Sequence, residues 1–510
     1  MIYLVPCFSG TVCPRVQTRY KGDSVKKFIK FVLLLVVAGM LCVFAACDSS
    51  GGDDEDDYSY RNFRAQEYNT TAWYTTRAAL KATGTYCTVY VEEDVPVTRA
   101  EAAQIAAEFD DKIFNQITTS FGAHRDVDHD EKLTLLLLDI VDGYIPPNGA
   151  YVQGYFDPTH MARKTDNSNS NECDMIFLDV DPVEPGSEEF FTTIAHEFQH
   201  LINFSRTYME DGRLQDIWIN EGLSSGAEYV YSREINQVRV DHFNYDPYGS
   251  IVYGNNFFVW DGFFESRNSN TVLDNYATVS LFFQWLRIHA SNNTDIYKDI
   301  LDSEDRDYQA VAAAAGSKID SVYSDWPLLL ETWYLANFRC QSSGYYGYKT
   351  EIETKPVFFL NSDDADLFFE PGEAVISARS TDTGEVGTWD PPTGSGANIQ
   401  YAGFDYAETT VDRDSPFTNQ FAIVYNANTS NTASEEKGFV ANVVAAPGDN
   451  SVARSIQARI DANKKVLPKK FAVGFHPGYG GAGETPEQRL LKNKAGFAPA
   501  ATIQGKKDWR

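Results

Sequence analysis

The sequence is poor in cysteine and in positive charge. Seven Cys in 510 residues are too few for a disulfide-stapled scaffold, and the length allows about two or three domains with full hydrophobic cores. The chain has 43 Lys and Arg against 72 Asp and Glu, a formal net charge of −29, with no basic cluster in its main body. Because phosphate binding needs dense Lys and Arg, this charge argues against a nucleic-acid partner.

Long apolar runs are also scarce, and the clearest one lies near the N-terminus. Residues 31–46 are mainly apolar, follow three Lys and end in small residues before Cys47. This pattern resembles the lipobox of bacterial lipoproteins, in which the Cys is lipidated and becomes the mature N-terminus. We expect a signal peptide at residues 1–46, with Val25 as a candidate translation start, and a lipid on Cys47. An ordinary signal peptide or an N-terminal membrane anchor is the alternative.

Strand and helix patterns alternate between residues 61 and 210, after an acidic stretch at residues 47–60 that predicts a solvated tether. The strand patterns lie at residues 85–93, 133–140, 150–156 and 174–180. The helical patterns lie at residues 98–121 and 187–203. Together they predict a mixed sheet covered by helices.

The pattern changes after residue 210. Residues 211–344 have mainly helical periodicity, and residues 345–462 form short β-type runs separated by Gly, Pro, Asn and Asp. Residues 463–510 are rich in Lys, Gly and Pro and predict a flexible basic tail. The predicted fold class is α+β: a mixed sheet with its helices, then a helical subdomain, then a β-sandwich-like C-terminal domain.

The helix predicted at residues 187–203 contains the run His196-Glu197-Phe198-Gln199-His200. Two His four positions apart lie on the same face of a helix, so both imidazoles can hold one metal ion. Glu197 projects about a quarter turn away, where it can act as the general base on a water molecule. The alternative is a chance pentapeptide on an ordinary buried helix, expected in roughly one sequence in a hundred of this His content.

A second run supplies a third candidate ligand. Glu221 follows His200 after 20 intervening residues, which is enough for one turn and a return helix. Such a helix could bring the Glu221 carboxylate to the same ion. Three protein ligands with a fourth position left to water are the catalytic arrangement of zinc.

With these residues the chain resembles the gluzincin metallopeptidases, whose third ligand is a Glu on a downstream helix. Residues 195–204, Ala-His-Glu-Phe-Gln-His-Leu-Ile-Asn-Phe, are similar to the hyicolysin family of secreted neutral metallopeptidases. Residues 220–224, Asn-Glu-Gly-Leu-Ser, resemble the Asn-Glu-Gly run of gluzincin aminopeptidases. The resemblance covers about residues 85–340. It implies a gluzincin-like core, zinc, hydrolysis of protein or peptide substrates and an extracytoplasmic site.

Two departures from these families matter. Thermolysin-like enzymes carry an Asp four residues after the ligand Glu to orient one His, and that position is Ser225 here. Glu228 is the nearest downstream carboxylate and is our candidate for that role, with a surface or helix-pairing Glu as the alternative. The Gly-x-Met-Glu-Asn run with which gluzincin aminopeptidases hold a free amino group is missing, which favours an endopeptidase.

Residues 276–286 are similar in spacing to the aminopeptidase segment that begins with a catalytic Tyr. Tyr276 is therefore our candidate donor to the oxyanion of the tetrahedral intermediate. The alternative is a Tyr that merely begins a helix. In zincins an extended substrate pairs with an edge strand, for which residues 150–156 are the candidate.

A calcium loop is a weaker prediction. Asp126, Asp128 and Asp130 are spaced like its first ligands, but Glu131 replaces the Gly of the sharp turn and Leu137 replaces the bidentate Glu. A solvated acidic loop is therefore favoured over a Ca²⁺ site. The other isolated His, at positions 124, 129 and 160, have no partner at metal spacing and are interpreted as loop residues.

The sequence as a whole predicts a zinc metalloendopeptidase anchored to the bacterial cell envelope through a lipid on Cys47. Water attacks the peptide bond with Glu197 as the base. The competing hypothesis is a non-enzymatic surface lipoprotein, an adhesin or ligand-binding module whose metal site is structural or vestigial. No oligomeric state is predicted.

Overall fold

The computed structural model describes most of the chain between residues 59 and 440, together with residues 471–473. Within that span the residues outside the description are 68–69, 71, 145–149, 246–250, 252–253, 255–257, 261–270, 292, 355–364, 379–394, 406–410, 420 and 432–435. The predicted signal peptide, Cys47 and most of the acidic tether lie outside the described residues. No helix in the described part is both long and apolar enough to cross a membrane.

A six-stranded mixed sheet supports the first half of the chain. Its strands are β1 (Tyr60–Gln66), β2 (Trp73–Thr83), β3 (Cys87–Glu92), β4 (Leu133–Leu138), β6 (Gly154–Tyr155) and β7 (Met175–Asp179), in the order β1-β2-β3-β4-β7-β6. The pairs β3–β4 and β4–β7 are parallel and the remaining pairs are antiparallel. Every residue of β4 is buried, as expected for a central strand covered on both faces. The predicted mixed sheet is confirmed.

The strand predicted at residues 150–156 is divided in two. The short strand β5 (Ala150–Val152) lies outside the main sheet and pairs in parallel with β13 (Phe471–Val473), whereas β6 forms the edge beside β7. The predicted basic tail therefore contains one strand segment. The described Cys residues 87, 173 and 340 are free thiols.

Two helical segments pack on the sheet. Helices α1 (Arg99–Glu108) and α2 (Phe114–Phe121) are joined by a π-helical turn and begin with a capping box of Thr98 and Glu101. Helix α3 (Glu188–Arg206) begins at Ser187, whose hydroxyl accepts the backbone N–H of Phe190. On α3, Phe198 contacts the rings of Phe109 and Phe114, which anchors the helix to this layer.

Strand β6 crosses α3 at very close range. A Cβ on Gly154 would lie 2.9 Å from the carbonyl oxygen of Phe177 and from Cγ2 of Thr193, and 3.4 Å from Cγ of Glu197. Only a residue without a side chain fits this crossing. The close approach brings the edge of the sheet against the second residue of the His-Glu-x-x-His run.

The chain after α3 is mainly helical, in agreement with the prediction. The helices are α4 (Tyr208–Asp211), α5 (Ile217–Ser232), α6 (Gln237–Tyr245), α7 (Thr271–His289), α8 (Asp295–Asp302), α9 (Tyr308–Lys318) and α10 (Trp326–Arg339). Helix α5 packs against α3 on one side and α7 on the other.

Two glycines let aromatic rings approach α5. A Cβ on Gly222 would lie 2.2 Å from the ring of Phe283, and one on Gly226 would lie 2.8 Å from the ring of Tyr297. These glycines are four residues apart and therefore lie on one face of α5. That face is fixed by the two rings, which sets the rotation of α5 about its axis.

The region after residue 345 contains strands in small sheets. Strands β9 (Ala374–Ala378), β10 (Ile399–Phe404) and β11 (Phe421–Asn426) form one sheet, and β8 (Ala365–Phe369) pairs with β12 (Glu436–Val440). Side chains of this region pack on α10, where the Tyr425 hydroxyl donates to Oε1 of Glu331 at 2.7 Å. The β-sandwich and the predicted domain boundaries stay predictions.

Candidate metal centre

Two helices bring three ligand groups to one point. His196 and His200 lie on consecutive turns of α3, and Glu221 lies on α5. The Nε2 atoms of both His are each 3.5 Å from Oε2 of Glu221, and all three side chains are at least 95% buried. The 20-residue connection thus returns the chain so that the carboxylate faces both imidazoles.

The opposite nitrogen of each imidazole is held by α5. Nδ1 of His196 is 2.8 Å from Oε1 of Glu228, and Nδ1 of His200 is 3.0 Å from both Oδ1 of Asn220 and Oγ of Ser224. A carboxylate and an amide oxygen can only accept, so they hold the proton on Nδ1 of each ring. Nε2 of each ring is left to face Glu221, the orientation found in metal-bound His.

The charges in this cluster are strongly coupled. Burial alone would lower the pKa of His196, but the neighbouring carboxylates of Glu221 and Glu228 outweigh burial and raise that pKa to about 10 when no cation is present. Burial is likewise outweighed at Glu221, where His200 and His196 hold the pKa of the carboxyl far below its usual range. Glu221 is therefore a carboxylate, and a metal ion that binds here displaces a proton from His196.

Glu197 occupies the side of α3 next to the edge of the sheet. Its side chain is 1% exposed, and the backbone N–H of Phe156 donates to its carboxylate. Oε2 of Glu197 makes no hydrogen bond within the described part of the chain. Burial raises the pKa of this carboxyl, which brings it closer to that of a base working near neutral pH.

The donor set fits a divalent cation such as zinc. Nε2 of His196 and Oε2 of Glu221 are buried and form no hydrogen bond of normal length with any described residue. Buried polar atoms without a partner are costly, and a metal ion held by two imidazoles and one carboxylate would satisfy both of them. Among the described residues this is one of two groups that could hold a metal ion.

The other group contains Asp126, Asp128 and Asp174. The structure thus brings Asp174, at the start of β7, to the predicted acidic loop, while Oδ1 of Asp130 accepts the backbone N–H of Lys132. Asp174 is fully buried and is bonded by the Val127 backbone N–H and by the ring of His124. Sequence spacing alone could not include a residue almost fifty positions away.

The remaining candidates lie in diverse surroundings. Tyr276 is fully buried on α7, with Trp260 against its ring at 5.2 Å and Cζ of Arg239 4.7 Å from its ring centroid. Ser225, in place of the expected Asp, is buried and does not hold a histidine; Glu228 lies one turn further along. His160 is buried in a 3₁₀ turn, unlike an ordinary loop residue, and burial lowers its pKa to about 4.

Sequence reasoning missed the neutral side chains around His200. Asn220 and Ser224 flank Glu221 on α5, and Ser224 also donates to Oε1 of Gln199. Asn220 and Ser224 are four residues apart and therefore share one face of α5, which is a signal visible in the sequence. The role of that face can be assigned only once the rotation of α5 about its axis is known.

The site is a buried His-His-Glu centre with a carboxylate beside it, the metal-binding unit that a His-Glu-x-x-His helix supplies in metalloproteases. The chain is 28% identical over 332 residues to the neutral metalloprotease ShpI of Staphylococcus hyicus, an alignment that covers 61% of this chain and 70% of ShpI. This similarity supports a metalloprotease family for the chain. No family model matches the sequence.

Proposed function

We propose that the protein is a zinc-dependent endopeptidase of the gluzincin type, close to the hyicolysin group, that cleaves protein or peptide substrates. One observation carries the proposal: Glu221 of α5 faces the Nε2 atoms of His196 and His200 at 3.5 Å, with Glu197 buried beside them. The similarity to a protease supports peptide substrates. The absence of a Gly-x-Met-Glu-Asn run supports internal cleavage.

When bound, zinc would supply Lewis-acid chemistry at this point. His196, His200 and Glu221 would hold it, and Glu228 and Asn220 keep both imidazoles in the tautomer that this requires. Glu197 accepts a proton from the attacking water and later delivers one to the leaving amine. Its position is set by the Phe156 backbone N–H, which bonds the carboxylate from the edge of the sheet.

The test of this function is Glu197→Gln. The change keeps the size of the side chain and removes the base, so zinc content should stay at one per chain while casein cleavage falls by about 10²-fold or more. Metal analysis and a fluorogenic peptide assay, with and without a chelator, give both readouts. Near-wild-type cleavage by this variant would refute the mechanism, and wild-type protein that binds zinc without any peptidase activity would favour the non-enzymatic lipoprotein instead.

Tyr276 is proposed as the donor to the developing negative charge on the carbonyl oxygen. Its place next to Arg239 supports this role, because Arg239 also lines the cavity at His196 described below. Tyr276→Phe removes only the hydroxyl and should lower kcat by about 10²-fold with KM little changed. Full activity with unchanged zinc content would exclude the role.

We also propose an envelope location, with a lipid on Cys47. The support is the apolar run with its basic start and small residues before the Cys. Metabolic labelling with a fatty acid should mark the wild-type protein and leave Cys47→Ala unlabelled. Equal labelling of both would dismiss the anchor without affecting the peptidase proposal.

A further inference from the structure

A cavity of about 330 Å³ opens beside His196. One wall is the N-terminal half of α3, and the other is formed by the end of α5, the connection after it and the start of α6. Gln153, between β5 and β6, closes the side next to the sheet. The volume suits one substrate side chain, and contact with a metal-ligand candidate places that side chain next to the bond being cleaved.

The inner end of the cavity holds a buried cation for which the described residues provide no hydrogen-bond acceptor. Arg239 is 4% exposed, and its guanidinium forms no hydrogen bond with any described residue. Glu228 is the nearby carboxylate, but its two oxygens are bonded to His196 and Asn236. A buried guanidinium with unused donors calls for an oxygen acceptor from outside the chain, and a peptide carbonyl supplies one.

The outer end of the cavity is acidic. Glu188 and Glu189, in the first turn of α3, and Glu234, after α5, all line it and are all exposed. Glu189 is already engaged, since Nε2 of Gln153 donates to it at 2.6 Å. The side chains of Glu188 and Glu234 make no hydrogen bond within the described part of the chain. Two carboxylates at the outer end are therefore available to a ligand.

The distance along α3 determines which side chains reach these carboxylates. Glu188 precedes His196 by eight residues, which is about 12 Å along the helix axis. A short side chain that starts near His196 cannot cover that length, and an extended Lys or Arg side chain meets Glu188 because the Glu188 side chain itself lines the cavity. Between the two ends, the walls include the aliphatic side chains of Ile235 and Val238, which suit a methylene chain.

We propose that this cavity selects a lysine or arginine adjacent to the scissile bond of the substrate. The inference rests on the proposed peptidase function and names its substrate class. The substrate residue places its main-chain carbonyl at Arg239, its methylenes along Ile235 and Val238, and its charged head at Glu188 and Glu234. An acidic residue in the same position is repelled by the outer carboxylates.

The first experiment is a cleavage-site profile of the zinc-loaded full chain on a peptide library, read by mass spectrometry. We expect Lys and Arg to be enriched at one position next to the cleaved bond. In matched fluorogenic peptides, kcat/KM should be at least about tenfold higher with Lys than with Glu at that position. The ratio should decrease as ionic strength rises, because the outer carboxylates are exposed.

The double variant Glu188→Gln/Glu234→Gln should reduce this ratio several-fold. Glu210→Gln is the matched control, since Glu210 is exposed on α4 and does not line the cavity. It should keep the wild-type ratio. Charge reversal by Glu234→Lys should move the preference toward Glu-containing peptides, which provides a second variant with an opposite expected sign.

A binding measurement separates the failure of this inference from failure of the proposed function. Zinc-loaded Glu197→Gln should bind the Lys peptide more tightly than the Glu peptide, and the added double change should remove that difference. Active enzyme with equal rates on both peptides overturns the subsite and leaves the peptidase intact. Zinc-loaded wild-type protein that cleaves neither peptide nor casein overturns the proposed function, and the inference falls with it.

Discussion

Two clusters in the described chain gather three metal-ligand side chains within 4.8 Å, and they differ in what surrounds them. The first, His196, His200 and Glu221, is buried throughout. The second, formed by Asp126, Asp128 and Asp174, ranges from buried to exposed. Both contain carboxylates, so the presence of an acidic group alone does not distinguish a metal centre from an acidic loop.

The difference lies in the atoms that the chain leaves without partners. In the acidic loop, both oxygens of Asp126 accept backbone N–H groups, from His129 and Glu131. Both oxygens of Asp174 are bonded as well. In the His-His-Glu cluster, hydrogen bonds hold the outer imidazole nitrogens, whereas Nε2 of His196 and Oε2 of Glu221 have no hydrogen bond to any described residue. Buried ligand atoms that face one another without a hydrogen bond therefore indicate a metal site better than acidic charge does.

The largest effect is expected from removing the carboxylate ligand. Glu221→Ala should lower zinc affinity by more than about 100-fold and abolish peptidase activity, because loss of groups that only orient ligands already costs 10–100-fold. The matched change in the other cluster, Asp126→Ala, should leave zinc content and activity unchanged. Equal loss of zinc in both variants, measured by metal analysis after dialysis, would remove the distinction between the clusters.

A smaller effect is expected from the carboxylate that holds His196. Glu228→Gln keeps the hydrogen-bond length and removes the charge, so zinc affinity should fall by about 10–100-fold with activity restored at high zinc. Ser225→Ala is the control on the same helix, since the Ser225 hydroxyl is buried and has no hydrogen bond to the part of the chain that the structure describes. It should change zinc affinity less than twofold. Insensitivity of zinc affinity to Glu228→Gln would mean that Glu228 only pairs helices.

The smallest effect is expected at the acidic loop and depends on pH. Burial and the neighbouring Asp174, Asp130 and Asp126 raise the pKa of Asp128 to about 7 from 3.8. The folded state therefore keeps this proton at pH values where the unfolded chain has lost it, and stability decreases as pH rises from about 4 to 7. Asp128→Asn should flatten this decrease and raise Tm at pH 8, by no more than about 3 °C because the residue is exposed.

Calcium provides the check on that prediction. If the loop is only a solvated acidic segment, adding 1 mM Ca²⁺ at pH 8 should not change the Tm of the wild type beyond its ionic-strength effect. A calcium-dependent rise in Tm that Asp128→Asn abolishes would make the loop a cation site and would place the two clusters in the same class.

Much of the fold could be predicted from periodicity where one face of an element is buried. The wholly buried, Leu-rich β4 and the capped helix α3 illustrate this. Strands β1 and β2 were missed, because Arg, Asn and Thr interrupt their apolar positions and no continuous apolar run marks them. The split between β5 and β6 was also missed, since it depends on the close approach at Gly154, which is a property of two elements together.

The metal ligands could be nominated from spacing, because four residues on a helix fix two imidazoles relative to each other. The placement of Glu221 depended on a connection whose path the sequence does not encode locally. The roles of Asn220 and Ser224 could not be predicted for the same reason, because they depend on which face α5 turns toward α3. Arg239 was also missed, since only the folded cavity shows that its guanidinium has no hydrogen-bond acceptor among the described residues.

The two ring contacts on α5 have a consequence for engineering. Exchanging helix-interior glycine for alanine is a common way to raise thermal stability, worth up to about 1 kcal/mol per site through backbone propensity. The exchange to alanine is unsuitable at Gly222 and Gly226. A methyl group there would collide with the rings of Phe283 and Tyr297 and rotate the helix that carries Glu221. Mutant libraries designed to raise the thermal stability of this protein should keep both glycines and place their substitutions on other helices.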